Sequence, residues 1–211
     1  MILEAHALRF SYNPNTSFQF ADFKCEAGQH LLITGASGSG KTTLLHLLAG
    51  LQKPNSGKIV TCEIEMSALS DAALDRFRGK HIGIVFQKPH FVSALSVLEN
   101  LELASWLSGK GKSTDFAKEL LAKLDIGSQA HKCVSQLSTG QLQRLSIIRA
   151  VMNKPKLLLA DEPTSSLDDA NCERVKQMLF DIADQISATL VVVTHDQRLK
   201  SDFTHHYSLQ A

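Results

Sequence analysis

Gly35-Ala36-Ser37-Gly38-Ser39-Gly40-Lys41-Thr42 stands between two apolar runs of the chain. His30-Leu31-Leu32-Ile33-Thr34 before it reads as a short buried strand. Residues 43–51 after it read as a helix with Leu44, Leu47, Leu48 and Leu51 on one face. The octet fits G-x-x-x-x-G-K-[ST], a loop that cradles phosphates. A strand feeding a glycine loop feeding a helix aims backbone N–H groups and the positive end of the helix dipole at one spot. Glycines let the backbone approach a polyphosphate and take angles that a side chain forbids. Lys41 is expected to reach the β- and γ-phosphates, and the Thr42 hydroxyl to ligate Mg²⁺.

The bulk properties narrow the rest. A chain of 211 residues holds one large domain or a core with an inserted subdomain. Hydrophobic residues at 44% and charged residues at 20% form an ordinary globular mix. The formal net charge of +1 gives no electrostatic case for nucleic acid. Cys25, Cys62, Cys133 and Cys172 lack C-x-x-C spacing and read as reduced, cytosolic thiols. No basic stretch followed by an apolar run marks a signal peptide at the N-terminus, and the longest apolar runs are too short to span a membrane.

Residues 1–24 read as strand, turn and strand, the turn at Asn13-Pro14-Asn15, with Tyr12 ending the first strand. A turn at Pro54-Asn55-Ser56-Gly57 leads into a strand at 58–62. A helix is expected over 70–78, with Leu74 and Phe77 inward, then a buried strand from Ile82 to Phe86 ending at Gln87. From Lys88 to about Asn153 helical periods take over at 95–107, 114–124 and 140–152. The α/β pattern resumes with a strand at 156–160 running into Asp161-Glu162-Pro163. A helix over 169–187 follows, then a β-branched strand at 189–194 ending at His195. Buried strands alternating with helices imply a parallel sheet with ligands at the strands' carboxyl ends. Lys41, Gln87, Asp161 and His195 all fall at such ends.

Leu137-Ser138-Thr139-Gly140-Gln141 opens the helix that carries Arg144 and Arg149, and it resembles the signature sequence of ABC ATPases. Gln87, Asp161, Glu162, Ser165-Ser166-Leu167-Asp168 and His195 fall in the order of that family's Q-loop, Walker B aspartate, glutamate, D-loop and switch histidine. The resemblance covers essentially the whole chain. Residues 78–87 and Ser96-Val97-Leu98-Glu99-Asn100 are similar to the MacB, lipoprotein-release and FtsE group. One residue departs from the pattern: Thr139 stands where the signature has a glycine. Activity is expected to survive it.

The resemblance implies an α/β fold: a P-loop NTPase (RecA-like) core with a mostly parallel sheet, an N-terminal antiparallel β-subdomain and an inserted helical subdomain. Residues 1–87 and 154–211 would form the core with its β-subdomain, and 88–153 the helices, within a single domain. It also implies ATP and Mg²⁺ as ligands. Glu162 would polarise the attacking water, and His195 would contact the γ-phosphate. Asp161, Thr42 and Gln87 would serve Mg²⁺. Tyr12 would stack on adenine, with Phe10 a competitor for that place, and residues 35–43 (Gly35, Ala36, Ser37, Gly38, Ser39, Gly40, Lys41, Thr42, Thr43) would hold the phosphates. Ser138, Thr139, Gly140, Gln141 and Asp168 would reach the ATP of a second copy, giving a head-to-tail homodimer on ATP binding. Residues 88–96 would dock an integral membrane permease at the cytoplasmic face of the membrane; the alternative is a soluble ABC-type regulator without such a partner. Phe91, in that stretch, is either part of this contact or core. His205-His206 is read as structural, because adjacent strand residues point to opposite faces.

Overall fold

The computed structural model describes residues 1–165 and 167–209. Two sheets organise it. The first is antiparallel around β1 (Leu3–Asn13), which pairs with β2 (Thr16–Gln19), β3 (Phe23–Cys25) and β5 (Ser56–Thr61), while β6 (Ile64–Glu65) pairs with β5. The expected second strand is in fact two: β2 ends at Gln19, and Phe23 starts β3 further along the same edge of β1. An eleven-residue strand is long enough to pair with both.

The second sheet is wholly parallel, in the order β10 (His205–Ser208), β4 (Leu31–Thr34), β9 (Thr189–Thr194), β8 (Leu157–Asp161), β7 (Ile82–Val85). Every residue of β8 and β9 is buried, as expected of strands covered on both faces. Helix α1 (Lys41–Leu48) follows β4, and α2 (Asp71–His81) precedes β7. Between β7 and β8 lie α3 (Val97–Leu107), α4 (Thr114–Lys123) and α5 (Thr139–Val151); α6 (Asp169–Gln185) joins β8 to β9. Chain order and fold class agree with the sequence expectation. Leu51 does not: α1 ends at Leu48, and Leu51 lies beyond it, exposed.

One apolar cluster lies between α1 and the two sheets, with Leu44, Leu45, Leu47 and Leu48 against Ile33, Leu159, Val191 and Val193. The other begins on the opposite sheet face at Leu32, Leu158, Leu190 and Val192, and runs on through Leu101, Leu120, Leu145, Ile148 and Leu179 of the helices. Close packing of α5 on β7 depends on Gly83, where a Cβ would stand 2.3 Å from the Ala150 carbonyl.

Candidate functional site

The carboxyl ends of β4, β8 and β9 deliver three polar segments to one edge of the parallel sheet. Beyond β4 the chain turns through Gly38 and Gly40, with φ of 81° and 90°, and enters α1. Gly40 has two reasons to be glycine. Its φ is left-handed, and a Cβ would stand 2.6 Å from Cδ1 of Phe18, whose ring lies beneath the loop. Lys41 is buried, and its ammonium donates to the carbonyls of Gly35 and Ala36 at 2.9 Å each. It also stands 3.8 Å from Oε1 of Glu162.

Thr42 Oγ1 donates to Oδ1 of Asp161, the last residue of β8, at 3.2 Å. Burial pushes the Asp161 carboxyl above the usual carboxylate range, partly offset by the Thr42 bond. The next residue, Glu162, takes a φ of 47°, a left-handed angle away from glycine. Its backbone N–H donates to the Val193 carbonyl at 2.8 Å, so β9 fixes the turn. The Glu162 carboxylate is held on both oxygens. Thr194 Oγ1 donates to Oε2 at 2.8 Å, the His195 N–H to the same oxygen at 3.3 Å, and the His195 Nδ1 group to Oε1 at 2.8 Å.

A cleft of about 420 Å³ is lined by Lys41, Thr42, Thr43, Gln87, Glu162 and His195, together with Phe18 and loop residues Ser37, Gly38 and Gly40. Sequence reasoning therefore brought together Lys41, Thr42, Thr43, Gln87, Asp161, Glu162 and His195, which the fold does place at one edge. Gln87 Nε2 donates to Ser165 Oγ at 3.5 Å. Gly35, Ala36 and Ser39 belong to the same loop, their backbone turned around the Lys41 ammonium or toward a neighbouring depression. Tyr12 is 53% exposed, with its hydroxyl 3.2 Å from Thr43 Oγ1 and its ring edge-on to Phe10 and Phe18.

Ser138, Thr139, Gly140, Gln141 and Asp168 do not line this cleft. Ser138 caps α5 in a reciprocal box with Gln141: the Gln141 N–H donates to Ser138 Oγ, and the Ser138 N–H donates to Gln141 Oε1 at 2.9 Å. Thr139 is the first residue of α5, a helical position that threonine tolerates. Asp168 caps α6, accepting from the Asn171 N–H at 2.8 Å. Thr139, Gly140 and Leu167 share a small pocket between the two helix starts. Ser166 of the expected D-loop lies outside the described residues.

Phe18, Thr194 and Asp196 were not anticipated. Asp196 accepts from Thr164 Oγ1 at 2.8 Å and from the Arg198 guanidinium at 2.7 Å, and Arg198 reaches Asp169 of α6 at 2.7 Å. The guanidinium holds the Asp196 carboxyl far below the usual range. An acid two residues before an arginine, just past a strand, was the available signal. Phe91 is half-buried against the helical core, under the Arg149 guanidinium at 4.5 Å. His206 Nε2 lies 2.7 Å from the Phe203 carbonyl, and among the described residues no group of three or more His, Cys, Asp or Glu side chains suits a metal. All four cysteines are free.

The family model described as ABC transporter matches residues 18–165. The lipoprotein-releasing system ATP-binding protein LolD of Treponema denticola is 38% identical over 194 residues, covering 91% of this chain and 86% of its own. LolD of Shewanella oneidensis is 35% identical over 205 residues, covering 94% and 89%. Among solved structures, the dimeric ATP-binding cassette MJ0796 in a post-hydrolysis state with ADP and Pi superposes with a TM-score of 0.89 at 30% identity, covering 99% of this chain and 94% of that one. CbiO1 of Clostridium perfringens, part of the complex CbiONQ, superposes at 0.80 with 27% identity, covering 92% and 78%. With the phosphate loop, Glu162 and His195 in one cleft, and a family match over most of the chain, this protein belongs to the ABC transporter ATP-binding family and is an ATPase.

Proposed function

We propose that the chain is the ATP-hydrolysing subunit of a lipoprotein-release or export type ABC transporter, working as a head-to-tail homodimer beneath a membrane permease. The observation that carries the chemistry is Glu162, held by Thr194 and His195 in the cleft that Lys41 enters. The transport class rests on likeness to LolD proteins over about nine-tenths of the chain.

Residues 35–43 hold the phosphates of ATP, with the Lys41 ammonium leaving its two carbonyls for the β- and γ-phosphate oxygens. Water attacks the γ-phosphorus, the new O–P bond forms as the bond to the β-phosphate oxygen breaks, and Glu162 accepts the proton that water loses. His195 fixes the Glu162 carboxylate and stands at the γ-phosphate; Gln87 reports its presence to the helices beyond β7. Tyr12, exposed beside Thr43, supplies the adenine platform. The donor set fits Mg²⁺: two hard oxygens, Thr42 Oγ1 and Asp161 Oδ1, lie 3.2 Å apart, and Asp161 is buried where a cation would offset its charge. Bound there with Gln87 at the edge, the ion supplies charge neutralisation on the phosphates.

Ser138, Thr139, Gly140, Gln141 and Asp168, outside the cleft of their own chain, serve the second copy's ATP. Their place at two adjacent helix starts supports this, because helix N-termini favour anions. Residues 88–96 meet the permease, which brings the protein to the cytoplasmic membrane face.

The test is recovery of tagged Glu162→Gln protein from detergent-solubilised membranes of its host with ATP present. A multi-span membrane protein in stoichiometric amount is expected. Recovery of the homodimer alone, while a control membrane complex survives the same extraction, would overturn the transporter reading in favour of a soluble regulator.

A further inference from the structure

Helix α3 is apolar on two sides. Its inner face buries Val97, Leu101 and Ser105 in the helical core. Its outer face carries Leu103, Trp106 and Leu107 at i, i+3 and i+4, so the three share one stripe. Trp106 is 63% exposed and Leu107 70%, the two most exposed large apolar side chains among the described residues. They protrude at the helix end, where the chain turns through Ser108-Gly109-Lys110-Gly111.

Exposed lysines from three segments approach His81, whose helix end packs beside Ser108. The ends of α2, α3 and α5 are tied together at Asn153. Its Nδ2 donates to the carbonyls of Gly79 at 3.0 Å and Ala104 at 3.3 Å, Ser108 Oγ donates to its Oδ1 at 3.0 Å, and Lys110 Nζ donates to its carbonyl at 2.6 Å. The Lys156 N–H donates to the His81 carbonyl at 3.0 Å, which brings β8's approach alongside. Lys80, Lys110 and Lys156 thus converge around His81. Burial depresses the His81 pKa, and the three ammoniums lower it further. Glu102 is engaged with Thr114 and Lys112, and Glu99 in the cap of α3, while Glu63 stands near Lys156.

We infer that this face, Leu103, Trp106 and Leu107 bordered by Lys80, Lys110 and Lys156, seats on an anionic phospholipid surface. Protruding tryptophan and leucine suit the headgroup boundary, where an indole keeps its N–H wet and its ring dry. Lysines extend apolar stems over such a surface and place mobile point charges on phosphates without the fixed geometry that a carboxylate-bearing protein partner rewards. The inference deepens the membrane-coupled reading above and rests on it for its cellular setting. Its test uses lipid without permease, so either idea can fail alone.

Trp106 is the chain's single tryptophan, so its emission reports this face directly. The full-length protein is mixed with vesicles of phosphatidylcholine alone, and of phosphatidylcholine with phosphatidylglycerol. A blue shift, quenching by bromine-labelled acyl chains and reversal by salt are expected with the anionic vesicles only. Lys80→Gln, Lys110→Gln and Lys156→Gln together are expected to lower partitioning by about a hundredfold, roughly fivefold per lysine. Their ATP hydrolysis in solution should be unchanged, which shows the variant folded. Absence of the shift with anionic vesicles, or unchanged partitioning of the triple variant, overturns the inference. So does an emission shift that detergent-solubilised permease produces and anionic vesicles do not, which would make the face a protein interface.

Discussion

Glu162 Oε1 and His195 Nδ1 lie 2.8 Å apart, joining the residues just past two neighbouring parallel strands, β8 and β9. One partner's side chain is 9% exposed and the other's 64%, so the bond runs from the floor of the cleft to its open edge. An ionised carboxylate only accepts, which places the proton on Nδ1 of the imidazole. The histidine reaches outward while its orientation is set from within.

Glu162→Gln keeps the shape of this arrangement and removes the proton acceptor. The expected outcome is a kcat lowered by about 10² to 10⁴-fold with ATP affinity kept. Steady-state hydrolysis alongside calorimetric titration of ATP checks both halves. Unchanged turnover would remove Glu162 from the reaction.

Thr194→Val deletes the hydroxyl that donates to Glu162 Oε2 and accepts from the Asp196 N–H at 3.0 Å. A hydrogen bond to a charged group contributes about 1.5–3 kcal/mol. A fall of roughly tenfold or more in kcat, with KM nearly unchanged, is expected if Thr194 positions the carboxylate. A valine variant with wild-type kcat would show that His195 suffices.

Gly40→Ala forces a Cβ into the Phe18 ring and strains a φ of 90°. Loss of measurable ATP binding and a destabilisation of about 1–2 kcal/mol are expected. Adding Phe18→Ala relieves the clash but not the backbone angle, so the double variant should remain impaired in calorimetry. Full recovery would mean that contact, and not conformation, selects glycine here.

The buried Asp161 gives a pH-dependent prediction. Burial raises its native pKa, so between the ordinary carboxylate range and that raised value the folded chain binds more protons than the unfolded one. The stability contributed by this group therefore declines as pH rises through that window, and the deficit is complete above the native pKa. Asp161→Asn should melt a few degrees higher than wild type near neutral pH without nucleotide or metal, and no higher in acid below the ordinary range. Thermal melts at the two pH values check the sign. A variant less stable near neutrality would contradict it.

Four strands of the parallel sheet could be read in advance because they are short and mostly apolar, and because Gln87, Glu162 and His195 closely follow three of them. Phe18 could not be, because its contact with Gly40 joins the antiparallel sheet to the phosphate loop across more than twenty residues, and no local period encodes that. Thr194 reads in the sequence as one more β-branched strand residue, since its hydroxyl gains meaning only beside Glu162. Leu51 fitted the helical period of α1, yet Gly50, at φ 65°, had already ended the helix. Backbone termination outranked the apolar pattern there. The starts of α5 and α6 were legible, because the capping chemistry that Ser138 and Asp168 supply there is local.

The apolar cluster that starts on β8 and β9 continues unbroken through α3, α4, α5 and α6. Such a shared interior couples the melting of these helices to that of the sheet. Denaturation should therefore be a single cooperative event, and native-state amide exchange in α5 should open with the central strands at nearly the same free energy.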